Sequence, residues 1–179
     1  MTSRPNDPLL LVGRIIVVVM QAILGFAAVA LTVGLPLIFF LRDRITAEAR
    51  IEYANPDLVF PLGVVLGIMV FAIVFLVGAF WFLRLLRKII DTVGDGDPFV
   101  PENAERLTLM GWLALAAQLL AIPAAGAALY VAKIFEDQEG VTVDAGLDLS
   151  GIVLVVVLFI LARVFRHGAA MRADLEGTV

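Results

Sequence analysis

The feature that most constrains this chain is the segregation of its charge. None of its 30 charged residues lies within four uncharged runs at residues 15–41, 58–83, 107–132 and 149–162. An α-helix rises about 1.5 Å per residue, so the first three runs are long enough to cross a hydrocarbon layer of about 30 Å. A composition that is 61% hydrophobic and 17% charged excludes a water-soluble globular domain, in which roughly 25% of residues are charged. The sequence therefore predicts an all-α membrane protein.

The fourth uncharged run is too short to span on its own, since its 14 residues form about 21 Å of helix. It becomes a span if it includes its flanks, with Arg163 reaching back to the interface. A helix lying in the interface is the alternative. We therefore expect a single domain over residues 1–179, a four-helix transmembrane bundle with cytoplasmic extensions of helices two and four. The predicted spans are about residues 13–41, 58–83, 105–132 and 147–165.

The distribution of Lys and Arg predicts the orientation. Nine of these residues lie in the termini and the central loop, and four lie in the first and third loops. By the positive-inside rule, both termini of this multi-pass membrane protein face the cytoplasm. With a net charge of −4 and no cluster of Lys and Arg, direct binding to nucleic acid is not expected.

The sequence offers little catalytic chemistry. There is no cysteine, and the predicted topology places the one histidine, His167, on the opposite membrane side from Ser150. Asp95, Asp97 and Glu102 lack the ligand spacing of an EF-hand loop. The spans carry no ionisable residue at mid-membrane depth, where ion pumps and proton-coupled carriers usually need one. We therefore expect no enzymatic activity, no metal and no cofactor.

Small residues and prolines in the spans indicate how the helices pack, and they suggest an alternative function. Gly63 and Gly67 form a GxxxG step, which favours close approach of a neighbouring helix and leaves a homo-oligomer open. Pro36 and Pro123 should loosen helices one and three. The alternative function is accordingly a small transporter or pore subunit that moves an apolar or neutral solute between kinked helices.

The outer loops show an alternating pattern. Apolar and polar residues alternate over residues 45–53, and Val141 and Val143 repeat the pattern in the third loop. This period predicts partly extended loops that join in a small external sheet. A continuation of helix one beyond Arg44 is the competing interpretation, because Ala and Glu favour helix.

Two amphipathic extensions and a turn cluster lie on the predicted cytoplasmic side. The extension of helix two ends at Gly94, residues 94–103 are rich in turn formers, and helix four continues past Arg163 with one apolar side. We expect the two extensions to pack together under the turn, with Ile89, Ile90 or Phe99 close to Gly168. The alternative is that Gly168 merely loosens the end of helix four.

Two segments resemble a known family. Residues 96–107 read GDPFVPENAERL and residues 161–172 read LARVFRHGAAMR. Both resemble a bacterial membrane family, the domain of unknown function numbered two thousand nine hundred and seventy-five, and the likeness in length and four-span layout covers nearly the whole chain. No activity comes with this resemblance. Members are often encoded beside small helix-turn-helix regulators, which implies a membrane component of a regulatory pair.

The leading functional hypothesis is therefore a non-enzymatic inner-membrane protein that signals through a cytoplasmic interaction surface, with the lipid bilayer and such a regulator as partners. The candidate surface residues are Asp97, Pro98, Phe99, Asn103, Arg106, Phe165, Gly168 and Arg172.

Overall fold

Four long helices make up the fold. The computed structural model describes residues 8–52, 56, 59–134 and 149–176, which form α1 (Pro8–Glu52), α2 (Leu62–Gly94), α3 (Pro101–Ile134) and α4 (Leu149–Glu176). Each helix is long and apolar enough to cross a membrane, and the described residues contain no strand. Helices suit this setting because they satisfy backbone hydrogen bonds within one segment, as hydrocarbon requires. The predicted all-α membrane fold is confirmed.

The segment that follows Arg44 is helical rather than extended as far as Glu52. Residues 45–52 continue α1 without a break, so the predicted strand is wrong over this stretch. Ala, Glu and Arg are strong helix formers, and extending an existing helix avoids the cost of a new nucleus. The apolar alternation does not bury its members either, because Ile51 is 81% exposed. Tyr53, Val141 and Val143, which completed the predicted pattern, lie outside the described residues.

The helices pack in chain order as an antiparallel row. Each helix packs against the next one along the chain, and the described residues of α1 and α4 make no close backbone approach. Glycines on α1 lie at its interface with α2. A methyl group added at Gly13 would lie 3.9 Å from Ile90, and one at Gly34 would lie 3.4 Å from Met69. The bundle is therefore an open row in which α2 and α3 are central.

The hydrophobic core lies toward the end of the row where residues 95–100 join α2 to α3, which we call the turn end. It is shared by α2, α3 and α4. Its buried members are Leu85, Ile89, Leu107, Met110, Leu158 and Ala162. The backbones of α2 and α4 do not approach each other, because α3 lies between them. The two extensions therefore make no close backbone contact, and the predicted packing between them is limited to side chains that they share with α3 in this core.

The predicted small-residue contact is absent within the described chain. A methyl group added at Gly63 or Gly67 would have no atom within 4 Å. The GxxxG step on α2 thus has no neighbour among the described residues. Pro36 and Pro123 lie inside α1 and α3, and both helices continue through them.

Aromatic and basic side chains indicate the membrane level. Near the turn end, Arg84 lies over the Trp81 ring, 5.2 Å from its centroid, and at the other end Arg42 lies 5.3 Å from the Phe39 ring. Aromatic and basic residues favour such interfacial positions. A methyl group at Gly25 would lie 3.7 Å from Phe80, so Arg84 lies about level with residue 21 of α1. From there to Arg42, α1 rises about 32 Å, close to the thickness of the hydrocarbon layer.

Helix α4 is offset toward the turn end. Phe159 lies against Gly111 of α3, where an added methyl group would be 3.0 Å away. Leu149 precedes Phe159 by about 15 Å of helix, whereas α3 continues for about 35 Å from Gly111 to Ile134. The helical part of α4 therefore begins roughly 20 Å short of the end of α3, and it overlaps mainly the half of α3 that is nearer the turn end.

Candidate docking surface at the turn end

The turn between α2 and α3 is a Schellman cap. The Gly96 N–H donates to the Val93 carbonyl at 3.1 Å, and the Asp97 N–H donates to the Thr92 carbonyl at 3.0 Å. Gly96 has φ +85°, a left-handed conformation that favours glycine because it has no Cβ. Gly94 is the last residue of α2, as predicted, but Gly96 is the residue that reverses the chain.

The start of α3 follows from its first residues. Pro101 is the first helical residue, where its missing N–H needs no partner, and Glu102 places negative charge in the first turn. The Asn103 N–H donates to the Val100 carbonyl at 3.0 Å and closes the first turn.

Asn103 is the buried centre of the turn end. Its side chain is fully buried, and its Nδ2 donates to the Thr92 hydroxyl at 2.8 Å and to the Pro98 carbonyl at 2.9 Å. Its Oδ1 accepts a hydrogen bond from Arg106 Nη1 at 2.7 Å. Both amide hydrogens are thus used, which matters because an unpaired buried polar group is costly. Asn103 joins the end of α2, the turn and the start of α3.

Arg106 extends this network back to α2. Its Nη1 also donates to the Lys88 carbonyl at 3.3 Å, one turn before Thr92 on the same helix. The Thr92 hydroxyl donates in turn to the Ile89 carbonyl at 2.9 Å. Bonds to a guanidinium are charge-assisted and therefore stronger than those between neutral groups. The start of α3 is held to the last turns of α2 by side chains as well as by the short turn.

Phe99 lies directly on the backbone of α4. A methyl group added at Gly168 would lie 2.6 Å from Phe99 Cδ1, closer than real contacts allow. The Phe99 ring also packs against Phe165, with centroids 5.4 Å apart and the planes tilted by 45°. The predicted close approach at Gly168 is confirmed for Phe99, whereas Ile90 lies near Gly13. Helix α4 continues past Gly168 to Glu176, and the contact with Phe99 gives Gly168 a packing role rather than merely a loosened helix end.

Two ion pairs flank this packing. Asp97 in the turn pairs with Arg172 on α4, and Arg14 on α1 lies 3.4 Å from Asp91 on α2. The four side chains are 35–52% exposed, so water screens both pairs. They orient the elements that they join and contribute little to stability.

The eight predicted surface residues form one connected set, which we call the turn-end platform: Asp97, Pro98, Phe99, Asn103, Arg106, Phe165, Gly168 and Arg172. The sequence reasoning missed Thr92, the partner of Asn103 on α2. In the sequence, Thr92 is only a polar residue in the last turn of an amphipathic helix. That position does not predict a hydrogen bond to a residue eleven positions later. Phe99 remains 41% exposed, so the platform keeps an aromatic surface.

The described residues offer little for metal or nucleophilic chemistry. They contain no group of three or more His, Cys, Asp or Glu placed to hold a metal ion. Ser150 and His167 lie on the same helix, 17 residues and therefore about 25 Å apart. A hydroxyl and an imidazole at that distance cannot exchange a proton.

A family model for proteins of unknown function, DUF2975, matches residues 7–179. The chain belongs to this family. The match includes both motif segments and every residue of the turn-end platform, and it confirms the resemblance seen in the sequence. No curated protein and no solved structure matches the chain. Because membership in DUF2975 carries no activity, function has to be argued from the geometry of this chain.

Proposed function

We propose that this DUF2975 protein is a non-enzymatic bacterial inner-membrane protein that signals through its turn-end platform. Both termini and the platform face the cytoplasm, where a small helix-turn-helix regulator encoded nearby docks. The four apolar helices and the family match identify the chain as a membrane protein of a family of unknown function.

The platform itself carries the proposal. Two segments far apart in the chain, the turn after α2 and the last turns of α4, meet through Phe99 and Gly168 outside the uncharged spans. The fully buried Asn103 fixes the turn from inside, while Phe99 and Arg172 stay partly exposed. Aromatic and Arg side chains on a rigid frame are frequent anchors at protein interfaces. This is an arrangement suited to recognising a partner.

The distribution of charge supports the orientation. The turn end carries most of the Lys and Arg of the chain, including Arg84, Arg87, Lys88 and Arg106 around the α2–α3 turn. Reporter fusions after Arg50 and after Glu139 should behave as periplasmic, and those after Asp97 and after Val179 as cytoplasmic. A cytoplasmic signal after Glu139 would contradict the topology.

Site-specific photocrosslinking tests the docking surface. A crosslinking amino acid at Glu102, exposed in the first turn of α3, should capture the co-expressed regulator in membranes. The matched control is the same amino acid at Ile51, which is 81% exposed at the opposite end of the row. Equal capture from both positions, or no capture from Glu102, would refute docking at the platform.

A substitution at Gly168 tests whether the packed platform matters for signalling. Gly168→Leu should displace Phe99, because even a methyl group would lie 2.6 Å from its ring. Signalling should then fall while membrane insertion stays intact. Wild-type signalling from this variant at equal membrane abundance would refute a role of the platform in signalling.

One observation favours the second candidate, a carrier of apolar or neutral solutes. A groove of about 390 Å³ lies within the membrane part of the row and is lined by residues from all four helices, among them Met20, Gly78, Ala117 and Leu154. The volume is suited to a small apolar molecule. Uptake of such a solute by vesicles, abolished by Gly78→Phe and unaffected by Gly168→Leu, would favour this function over docking.

A further inference from the structure

A second groove lies on the outer side of the turn end, between α3 and α4. It has a volume of about 480 Å³ and opens to the outside. Its rim on α4 carries Arg163, Arg166 and His167, and its remaining wall is formed by Phe159, the small Ala162 and Ala170, and Thr108 of α3. Cationic donors thus stand above an aromatic and aliphatic wall in one concave site.

The groove lies at the headgroup level of the membrane. Trp112 packs edge-on against Phe159 with centroids 5.4 Å apart, and Trp112 is 58% exposed. Exposed tryptophans favour the interface between hydrocarbon and water. Arg163 and Arg166 follow Phe159 by four and seven residues, so their backbones lie about 6 and 10 Å closer to the turn end. Phe159 therefore lies on the hydrocarbon side of the groove, and the two arginines lie nearer the level at which phosphates are found.

The two arginines have no protein counterion in the described part of the chain. No described carboxylate lies within 4 Å of Arg163 or Arg166, in contrast to Arg172, which pairs with Asp97. Thr108 is already engaged, because its hydroxyl donates to the Ala104 carbonyl at 2.8 Å. The unmatched charge in this groove therefore comes from two guanidinium groups, which bind phosphate oxygens through paired N–H donors.

We infer that this groove binds the headgroup phosphate of an anionic phospholipid of the surrounding membrane. Arg163 and Arg166 hold the phosphate, and Phe159 with Ala162 contacts the glycerol region and the first part of an acyl chain. The amphipathic lining favours a lipid over a free anion, because a lipid places a phosphate against the arginines and an acyl chain against Phe159, whereas inorganic phosphate engages the arginines alone. The site is separate from the platform, which lies on the other side of the α4 backbone at Gly168.

Quenching of Trp112 by brominated lipid tests the site. A Trp81→Phe variant, in which Trp112 is the remaining tryptophan, is reconstituted in phosphatidylcholine vesicles with a minor fraction of brominated phosphatidylglycerol or brominated phosphatidylcholine. We expect stronger quenching by phosphatidylglycerol at equal mole fraction. R163Q/R166Q in this background should weaken the phosphatidylglycerol preference about 25-fold, since each basic residue near an anionic surface contributes about a factor of five.

The matched control removes the same charge from α2. R87Q/K88Q should change the preference by less than about twofold, because charges outside the groove are screened over roughly 10 Å. Three results would overturn the inference: equal loss in both double variants, equal quenching by the two lipids, or displacement of brominated phosphatidylglycerol by inorganic phosphate. The last result would assign the groove to a free anion.

Discussion

A double-mutant cycle between Gly168 and Phe99 tests the central contact of the platform. In the wild-type background, Gly168→Ala places a methyl group 2.6 Å from Phe99 Cδ1 and 3.3 Å from Cγ. The clash involves the body of the ring, so the whole side chain has to move. In a Phe99→Ala background the same methyl group has open space in front of it.

The magnitudes follow from opposing effects. Replacing glycine by alanine inside a helix stabilises by about 1 kcal/mol through helix propensity. Overpacking a tight contact costs about 1–3 kcal/mol, and losing the Phe99–Phe165 pair adds about 0.5–1.5 kcal/mol. We therefore expect Gly168→Ala to lower the free energy of unfolding by about 0.5–3.5 kcal/mol in the wild type and to raise it by up to about 1 kcal/mol with Phe99→Ala present.

The assay is equilibrium unfolding of the purified protein in mixed micelles, followed by helical circular dichroism. Gly13→Ala serves as the control, because its new methyl group would lie 3.9 Å from Ile90, an ordinary contact, near the same end of the row. It should be stabilising or neutral in both backgrounds. If Gly168→Ala has the same effect with and without Phe99, the reasoning about this contact is refuted.

Three further predictions concern the polar part of the platform. Asn103→Ala should lower the free energy of unfolding by at least about 2 kcal/mol, because the Pro98 carbonyl and Arg106 lose a buried partner; a loss below 1 kcal/mol would contradict the buried network. Thr92→Val removes one of these bonds and should cost about 1 kcal/mol in the same unfolding assay, with no additional cost once Asn103 is already Ala. Asp97→Asn should cost less than about 1 kcal/mol and the difference should vanish in high salt, because its pair with Arg172 is partly exposed.

The helices could be predicted from the sequence because the signal is physical and local. Uncharged runs of 26 or 27 residues leave few alternatives in a membrane. The error at residues 45–52 has an equally local cause. Apolar alternation is expected of a strand, yet a stretch that directly follows a long helix and is rich in Ala, Glu and Arg extends that helix with one hydrogen bond per residue.

The residues of the platform could be predicted from the sequence, but the contacts between them could not. Turn residues, an aromatic and a glycine on an apolar side indicated that the two segments belong together. The sequence does not indicate that α3 separates α2 from α4, because that depends on the order in which the helices pack. Contacts such as Asp97 with Arg172, 75 residues apart in the chain, need the whole row to be assembled. Thr92 was missed for the same reason.

Because the helices pack as an open row, the small turn end has a large influence on the position of α4. Within the described residues, the backbone of α4 closely approaches only that of α3, so its position relative to α2 depends on the shared core and on contacts through the turn. Phe99 is held at its base by the Schellman cap and by Asn103, and its ring rests on Gly168. A change in the turn therefore reaches α4 by direct contact, without passing through the membrane part of the row. A partner that binds the platform and a lipid that binds the outer groove would both act on the same few turns of α4.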